Sequence, residues 1–183
     1  MGYAFLAAGL LVLAWVVWTY NRLVRNRNRV DEAWAGIDVQ LQRRYDLVPN
    51  LVKTVQAYMQ HESRVLERVT ALRGNPGMQL PERSEQESGL SRSLGRLFAL
   101  AEDYPELKAS EGFQQLHASL VRVEQHLQFA RRYYNGSVRD NNNFVESFPA
   151  MLVARLFGFI SAAFFEIELA SQRSAPVIDL EHS

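Results

Sequence analysis

The sequence has no cysteine and no excess of charge of either sign. Without cysteine the chain can form no disulfide, no thiolate metal site and no thiol nucleophile. Its 20 basic residues balance 20 acidic ones, so the net charge gives no reason to expect a nucleic acid partner. With 183 residues and 48% hydrophobic content, the chain can nevertheless bury a sizeable core.

Motifs of common catalytic and metal sites are also missing. No two histidines stand four residues apart, and there is no H-E-x-x-H, G-x-S-x-G, phosphate loop or dinucleotide fingerprint. Acidic residues close in sequence, such as Glu102 and Asp103, stand in polar surroundings that favour solvated roles over acid–base catalysis. We therefore expect a protein that is not an enzyme, with no catalytic residue, no cofactor and no metal ion.

One long stretch without charge lies at the N-terminus. Tyr3 to Tyr20 is close to the roughly 20 apolar residues that a helix needs to cross a bilayer. Trp15, Trp18 and Tyr20 gather at its end, where aromatic rings favour the headgroup level. A cleaved signal peptide would begin with positive charge and end in small residues. The pattern favours an uncleaved transmembrane anchor over residues 1–21 rather than a buried globular helix.

Arginines without any acidic residue follow this apolar segment. Such a cluster favours the cytoplasmic side and contact with anionic membrane lipid. We therefore predict a single-pass protein with its N-terminus outside and its C-terminal domain in the cytoplasm. The membrane-proximal basic residues are Arg22, Arg25, Arg27 and Arg29.

Beyond these arginines the apolar residues recur in steps of three and four. From Val30 the stripe runs through Trp34, Ile37 and Leu41, and a second one runs from Phe113 to Tyr134. No alternating strand pattern longer than a few residues is present. The sequence predicts an all-α fold, in which the N-terminal transmembrane helix is followed by an elongated antiparallel three- to four-helix bundle over residues 22–147.

Proline and capping residues predict where these helices begin and end. Because Pro49 lacks an amide hydrogen, we expect an interruption near Tyr45, with Asp46 as N-cap of a second helix that extends to about Leu72. Glycine and proline at residues 74–81 predict a loop. Ser84 and Glu87 have the spacing of a capping box that opens a third helix, and Ser110 begins the last long one.

Residues 148–183 form an apolar short helix and C-terminal tail in this interpretation. We expect a short helix to begin at Pro149, followed by aromatic residues on the bundle or on the bilayer surface. A second span is the alternative, although Arg155 at its centre would cost about 2.5 to 3.5 kcal/mol. A third functional hypothesis, a hydrolase with its active site inside the membrane, would need an acid or base there. It would have to use Glu166 or Glu168, which are the acids nearest to an apolar segment.

Arginines and amides crowd into the stretch ARRYYNGSVRDNNNF. They can donate hydrogen bonds to an anion or a sugar, which would make this stretch a polar binding face. The other interpretation, which we favour, is a helix whose polar residues hydrogen bond to its neighbours and set their register. The residues of the possible polar binding face are Arg131, Arg132, Asn135, Arg139 and Asn142.

Several stretches together resemble the LemA family of bacterial membrane proteins, over nearly the whole chain and in the same order. The resemblance implies a single N-terminal span and a helical-bundle domain in the bacterial inner membrane, and it implies no established catalytic activity. Some members are associated with membrane stress, membrane proteases or specialised membrane compartments, which implies a scaffold or adaptor. The matching stretches are YNRLV, RNRVDEAWAGIDVQLQRRYDLVPNLVKTVQAY, HESRVLERVTALR, AEDYPELKAS, ARRYYNGSVRDNNNFVESFP and FGF.

The predicted function is therefore that of a non-enzymatic, membrane-anchored scaffold or adaptor acting through helix–helix contacts. The small residues Ala7, Ala8 and Gly9 would let the anchor approach another helix closely. We expect membrane lipid, further copies of the chain and a membrane protein such as a membrane protease as partners, and no nucleic acid. The alternative is a helical module at the membrane that binds a small ligand or glycan through the polar face.

Overall fold

The computed structural model describes residues 1–59, 67, 69, 71 and 80–165. Residues 67, 69 and 71 are helical, and no strand occurs in the described part of the chain, so the all-α prediction is confirmed. The helices with complete bounds are α1 (Gly2–Gln56), α2 (Leu80–Ala101), α3 (Pro105–Ala109), α4 (Glu111–Glu146) and α5 (Ala150–Leu156).

The chain divides into two compact units. The first contains Met1–Leu47 and Gln114–Phe165, and the second contains Val48–Phe113. The first unit therefore holds most of α1, most of α4 and the whole of α5. The domain boundaries predicted at residues 21 and 147 remain predictions.

In the first unit α1 and α4 run antiparallel. Contacts pair rising numbers in α1 with falling numbers in α4: the Arg22 guanidinium lies 4.5 Å from the Phe144 ring centroid, and Arg44 Nη1 lies 3.3 Å from Glu124 Oε2. Each helix turns its apolar stripe to the inside, as its spacing predicts. The buried stripe residues are Leu23, Val30, Ala33, Ile37, Leu41 and Tyr45 of α1, and Leu120, Val123, Leu127, Tyr134, Val138 and Val145 of α4.

The predicted interruption near Tyr45 is wrong. Helix α1 continues through Pro49 to Gln56, so Asp46 lies inside a helix and is not an N-cap. Its carboxylate accepts a hydrogen bond of 2.9 Å from Gln42 Nε2, one turn earlier. The helix tolerates proline because apolar residues on both sides of it, such as Val48 and Leu51, are buried. The predicted extension to Leu72 is also wrong, because α1 ends at Gln56 in a turn.

In the second unit the predicted start of the third helix is wrong by four residues. Helix α2 begins at Leu80, with Pro81 in its tolerated first turn, so Ser84 and Glu87 lie inside the helix and are buried there. The loop predicted before it lies, apart from its last two residues, outside the described residues. Leu90, Leu94 and Leu97 form the buried stripe of α2.

The later boundaries agree with the sequence. Helix α4 begins at Glu111, directly after Ser110, and continues to Glu146. Pro149 is the N-cap of α5, which is the predicted short helix. The chain from Phe157 to Phe165 then continues without regular secondary structure.

Candidate functional site

Two asparagines of α4 bind the backbone of the segment 161–165, which we call the C-terminal strap. Asn142 donates from Nδ2 to the Ala162 carbonyl oxygen (2.9 Å) and accepts the Ala162 N–H at Oδ1 (2.8 Å). Asn135 makes the same pair of bonds with Phe165, at 3.1 and 2.9 Å. Each side-chain amide therefore satisfies both backbone groups of one strap residue.

The spacing of the two asparagines explains why both can pair. Seven residues separate them along the helix, which is about 10.5 Å at 1.5 Å per residue. Ala162 and Phe165 are three residues apart, which spans about 10 Å in extended chain. The earlier asparagine, Asn135, pairs with the later strap residue, Phe165, so the strap runs antiparallel to α4.

Further side chains of α4 hold the same strap. Tyr134 donates from its hydroxyl to the Ala163 carbonyl oxygen (2.9 Å), and Ser161 donates to Glu146 Oε1 (2.7 Å). Burial, and to a lesser extent the nearby carboxylate of Asp31, raise the pKa of the Tyr134 hydroxyl. The phenol therefore stays protonated at neutral pH and can donate its hydrogen bond.

Arg131 and Trp34 enclose the end of the strap. The Arg131 guanidinium lies 4.9 Å from the Phe165 ring centroid, and the Trp34 and Phe165 ring centroids are 6.1 Å apart. Trp34 also meets the Tyr134 ring edge-on, at 5.5 Å. Phe165 is buried among these groups, so the strap is part of the packed first unit.

The structure divides the predicted polar face into two groups. Arg131, Asn135 and Asn142 contact the strap, whereas Arg132 stacks on exposed Phe129 at 4.6 Å and Arg139 is exposed. The amide groups of this possible binding face thus bind the chain's own backbone. This is close to the structural interpretation favoured above, although the partner is a strap and not a helix.

A glycine turn connects α5 with the strap. Gly158 has φ of +73°, the left-handed region that glycine adopts without strain. The Phe159 N–H donates to the Ala154 carbonyl oxygen (2.9 Å) and the Gly158 N–H donates to that of Arg155 (3.4 Å), which is the Schellman pattern. The turn places both flanking phenylalanines on Tyr20, at ring centroid distances of 4.9 and 5.7 Å.

The predicted membrane-proximal arginines are all exposed. Arg22 lies over two aromatic rings, Phe144 and Trp18, the latter at 5.4 Å from its centroid. Arg22 and Arg29 also line an open cleft of about 380 Å³, whereas Arg25 and Arg27 do not. The guanidinium and amide donors of this cleft suit a phosphate, whereas the carboxylate of Asp140 repels one. The other residues that line the cleft are Asn26, Asp140, Asn143, Phe144 and Ser147.

Apolar side chains before Trp15 are exposed on every side of α1. In the described part of the chain, α1 is the one helix long and apolar enough to cross a membrane. Every residue from Met1 to Ala14 is exposed, including Phe5, Leu10 and Leu13. A helix of a water-soluble protein buries at least one apolar stripe, so this segment requires an apolar environment outside the chain.

The described residues offer few side chains for metal binding or catalysis. No group of three histidine, aspartate or glutamate side chains there could hold a metal ion. His117 and His126 both lie on α4 but are nine residues apart. The possible hydrolase residues Glu166 and Glu168 lie outside the described part of the chain.

Comparison with known proteins agrees with the resemblance seen in the sequence. The profile described as the LemA family matches residues 33–180. The chain belongs to the LemA family. Together with the exposed apolar segment, this membership makes it a membrane-associated helical protein.

Named relatives include magnetosome proteins and a LemA protein. Magnetosome protein MamQ 1 of Paramagnetospirillum magneticum is 25% identical over 84% of this chain and 67% of its own length. MamQ of Magnetospirillum gryphiswaldense is 25% identical over 80% of this chain and 64% of its length. Protein LemA of Metamycoplasma hominis is 24% identical over 80% of this chain and 68% of its length. The chain thus spans about two thirds of each relative.

Sequence reasoning missed the strap and its glycine turn. The asparagines were recognised as hydrogen-bonding residues, but their partners lie 20 and 30 residues later in the chain. The available signal was Gly158 between two phenylalanines, directly after a short apolar helix. Glycine one residue beyond the C-cap of a helix commonly marks a left-handed cap, so the turn was predictable although its partner was not.

Proposed function

We propose that this LemA-family protein is a non-enzymatic membrane-anchored scaffold or adaptor that acts through helix–helix contacts, as a homo-oligomer or with a membrane protein. The observation that carries the proposal is the continuity of α1. A single helix, Gly2–Gln56, contains both the exposed apolar segment and the segment that packs on α4. The anchor and the first unit are therefore joined without a linker, so the bundle is held at a defined position beside the membrane.

The outer face of α4 supplies a surface for such contacts. Phe129 and Tyr133 are exposed one turn apart, and Arg132 lies against the Phe129 ring. Phenylalanine, tyrosine and arginine are enriched in protein interfaces, and tyrosine and arginine also among their energetic hot spots. Val121, two turns earlier, is also exposed. We call Val121, Phe129, Arg132 and Tyr133 the α4 outer patch.

The use of the polar face supports a scaffold over a ligand-binding module. Asn135 and Asn142 each form two hydrogen bonds with the strap, so binding a sugar through them would first break those bonds. Breaking them would leave the backbone groups of Ala162 and Phe165 without their partners, which costs about 1–3 kcal/mol for each buried group.

We further infer the location and orientation from charge. The exposed arginines after the apolar segment favour the cytoplasmic face of the inner membrane, with the N-terminus outside. In this arrangement the α4 outer patch faces the cytoplasm and is accessible to a second copy or to the cytoplasmic part of a membrane protein, such as a membrane protease.

The test is the mass of the intact assembly purified in mild detergent from native membranes, with crosslinking before extraction. We expect a mass above that of one chain, and we expect Phe129→Glu with Tyr133→Glu to reduce it to the monomer. The control is Val39→Glu, which places a glutamate at an exposed apolar position of α1, away from the patch. A monomer without any partner in the wild type would overturn the proposal, and an unchanged assembly in the double variant would overturn the role of the patch.

A further inference from the structure

A second exposed apolar surface lies on α5 and the turn after it. Ordinary surface helices cover their apolar residues, but here the exposed fractions reach 77% at Leu156 and 81% at Ile160. Because these side chains follow one another within a short segment, they form a patch and not scattered exceptions. The exposed large apolar residues of this surface are Phe148, Leu152, Leu156, Phe157 and Ile160.

The inner side of α5 packs on the end of the apolar segment of α1. Val153 and Ala154 form a buried cluster with Leu23 and Val145, and Trp15 and Val16 pack against this cluster. Trp15 is eight residues from Leu23, about 12 Å along the helix, so these two cannot meet directly. Trp15 and Val16 must therefore contact the members of the cluster that lie on the neighbouring helices, such as Val153 and Ala154. This places α5 next to residues 15–23 of α1.

This position sets the depth of α5 relative to the anchor. Tyr20 ends the charge-free segment and touches Phe157 and Phe159. Trp15 lies five residues before Tyr20, about 7.5 Å deeper along the helix axis. Interfacial amphipathic helices bury their apolar face about 5–10 Å into the boundary of headgroups and acyl chains. An anchor that spans the bilayer thus brings α5 to the depth at which such helices lie.

We propose that α5 and the turn at Gly158 form a second membrane contact, which inserts its outer apolar face into the leaflet on the bundle side. The inference rests on the membrane anchor and is independent of the scaffold function. The occupant of the surface is lipid, because α5 packs beside Trp15 and Val16, which belong to the apolar segment that the anchor places in the bilayer.

The charge of the segment suits this position. Residues 149–160 contain no acidic residue, and their one charged side chain is the exposed Arg155. Arg155 is on the outer face beside Leu156, where its stem can follow the apolar surface while the guanidinium reaches a lipid phosphate. A surface made for water would carry more polar and charged side chains here, and a surface made for a basic partner would carry acids.

The absence of cysteine makes a direct test possible. Single cysteines at Leu152, Leu156 and Ile160 of the full-length protein can carry a fluorescent label in reconstituted vesicles of phosphatidylcholine and phosphatidylglycerol. Quenching by lipids brominated in the acyl chain reports contact with lipid, and quenching by iodide reports contact with water. Cysteine at Val12 is the reference for lipid, and cysteine at Val39, an exposed position of α1 beyond the apolar segment, is the reference for water.

We expect labels at Leu156 and Ile160 to be quenched by brominated lipid and at least fivefold less by iodide than the label at Val39. Iodide quenching equal to that at Val39, with Val12 protected, would overturn the proposal. Labels protected from both quenchers would also overturn it, because a protein surface such as a second copy would then cover α5. Circular dichroism checks the fold of each variant. If Leu152→Cys does not fold, the labels at the two most exposed positions, Leu156 and Ile160, decide the test.

Discussion

The side chain of Asn142 pairs with the backbone of Ala162 through two hydrogen bonds, of 2.9 and 2.8 Å. Asn135 forms the same pair with Phe165 seven residues earlier in α4. These hydrogen bonds hold the strap on the polar stretch of α4. The strap follows the turn at Gly158, whose flanking phenylalanines contact Tyr20. The polar face therefore stabilises the membrane-proximal end of the bundle.

The first prediction concerns the two asparagines. Asn135→Ala and Asn142→Ala should each lower the free energy of unfolding by about 1–3 kcal/mol, because each leaves a backbone donor and acceptor of the strap without their partner. The matched control is Asn143→Ala, an exposed neighbour that should change stability by no more than about 0.5 kcal/mol. Urea denaturation in detergent micelles measures all three. Equal stability of the three variants would show that the strap does not depend on these amides.

The second prediction concerns pH. The raised pKa of Tyr134 means that the folded state keeps the phenolic proton at a pH where the unfolded chain loses it. This contribution to stability is fully present below the ordinary tyrosine pKa of about 10 and is lost as pH rises towards the higher folded-state value. Tyr134→Phe should be less stable than the wild type at neutral pH by about 1 kcal/mol.

The difference between the two proteins should therefore shrink above about pH 10. Thermal unfolding of both proteins over the alkaline range measures it, and the other tyrosines are common to both. A difference that stays constant across this range would contradict the assignment to Tyr134.

The third prediction separates two adjacent arginines. Arg44 is buried and lies 3.3 Å from Glu124, whereas Arg43 is exposed. Arg44→Ala should cost about 1–3 kcal/mol through lost packing and a lost charge-assisted bond, and Glu124→Ala should cost a similar amount. Arg43→Ala should stay within about 0.5 kcal/mol of the wild type. Equal effects of the two arginine variants in urea denaturation would argue against the burial of Arg44.

The fourth prediction tests the unbroken α1. Pro49→Ala returns an N–H that can donate to the Tyr45 carbonyl oxygen and removes the ring that crowds it, so it should stabilise the protein by about 1–3 kcal/mol. Asp46→Ala should have an effect of at most about 0.5 kcal/mol, because Asp46 is exposed and caps no helix. A helix that began at Asp46 would give the opposite pattern, with loss of stability at Asp46 and none gained at Pro49.

Local signals predicted part of this fold and failed at long range. The step of three and four residues predicted α4, and Pro149 predicted α5, because periodicity and proline act within a few residues. Pro49 misled the prediction because its cost of about 3 kcal/mol is local, whereas the burial that outweighs it is tertiary.

The strap lay beyond such reasoning for the same reason. The types and spacing of Asn135 and Asn142 indicated hydrogen bonds, but a sequence does not state which backbone groups receive them. Arg132 and Arg139 belong to the same stretch, yet the phase of the helix turns them away from the strap. The candidate surfaces of α4 and α5 needed the structure, because exposure decides which apolar residues lack a partner.

Extraction of the full-length protein from native membranes with alkaline carbonate tests the membrane anchor most directly. The protein should remain in the membrane fraction, and Leu10→Arg with Leu13→Arg should release it, because each arginine within the span costs about 2.5 to 3.5 kcal/mol. Wild-type protein that leaves the membrane as a freely soluble species, without detergent, would contradict the anchor and every surface placed beside it.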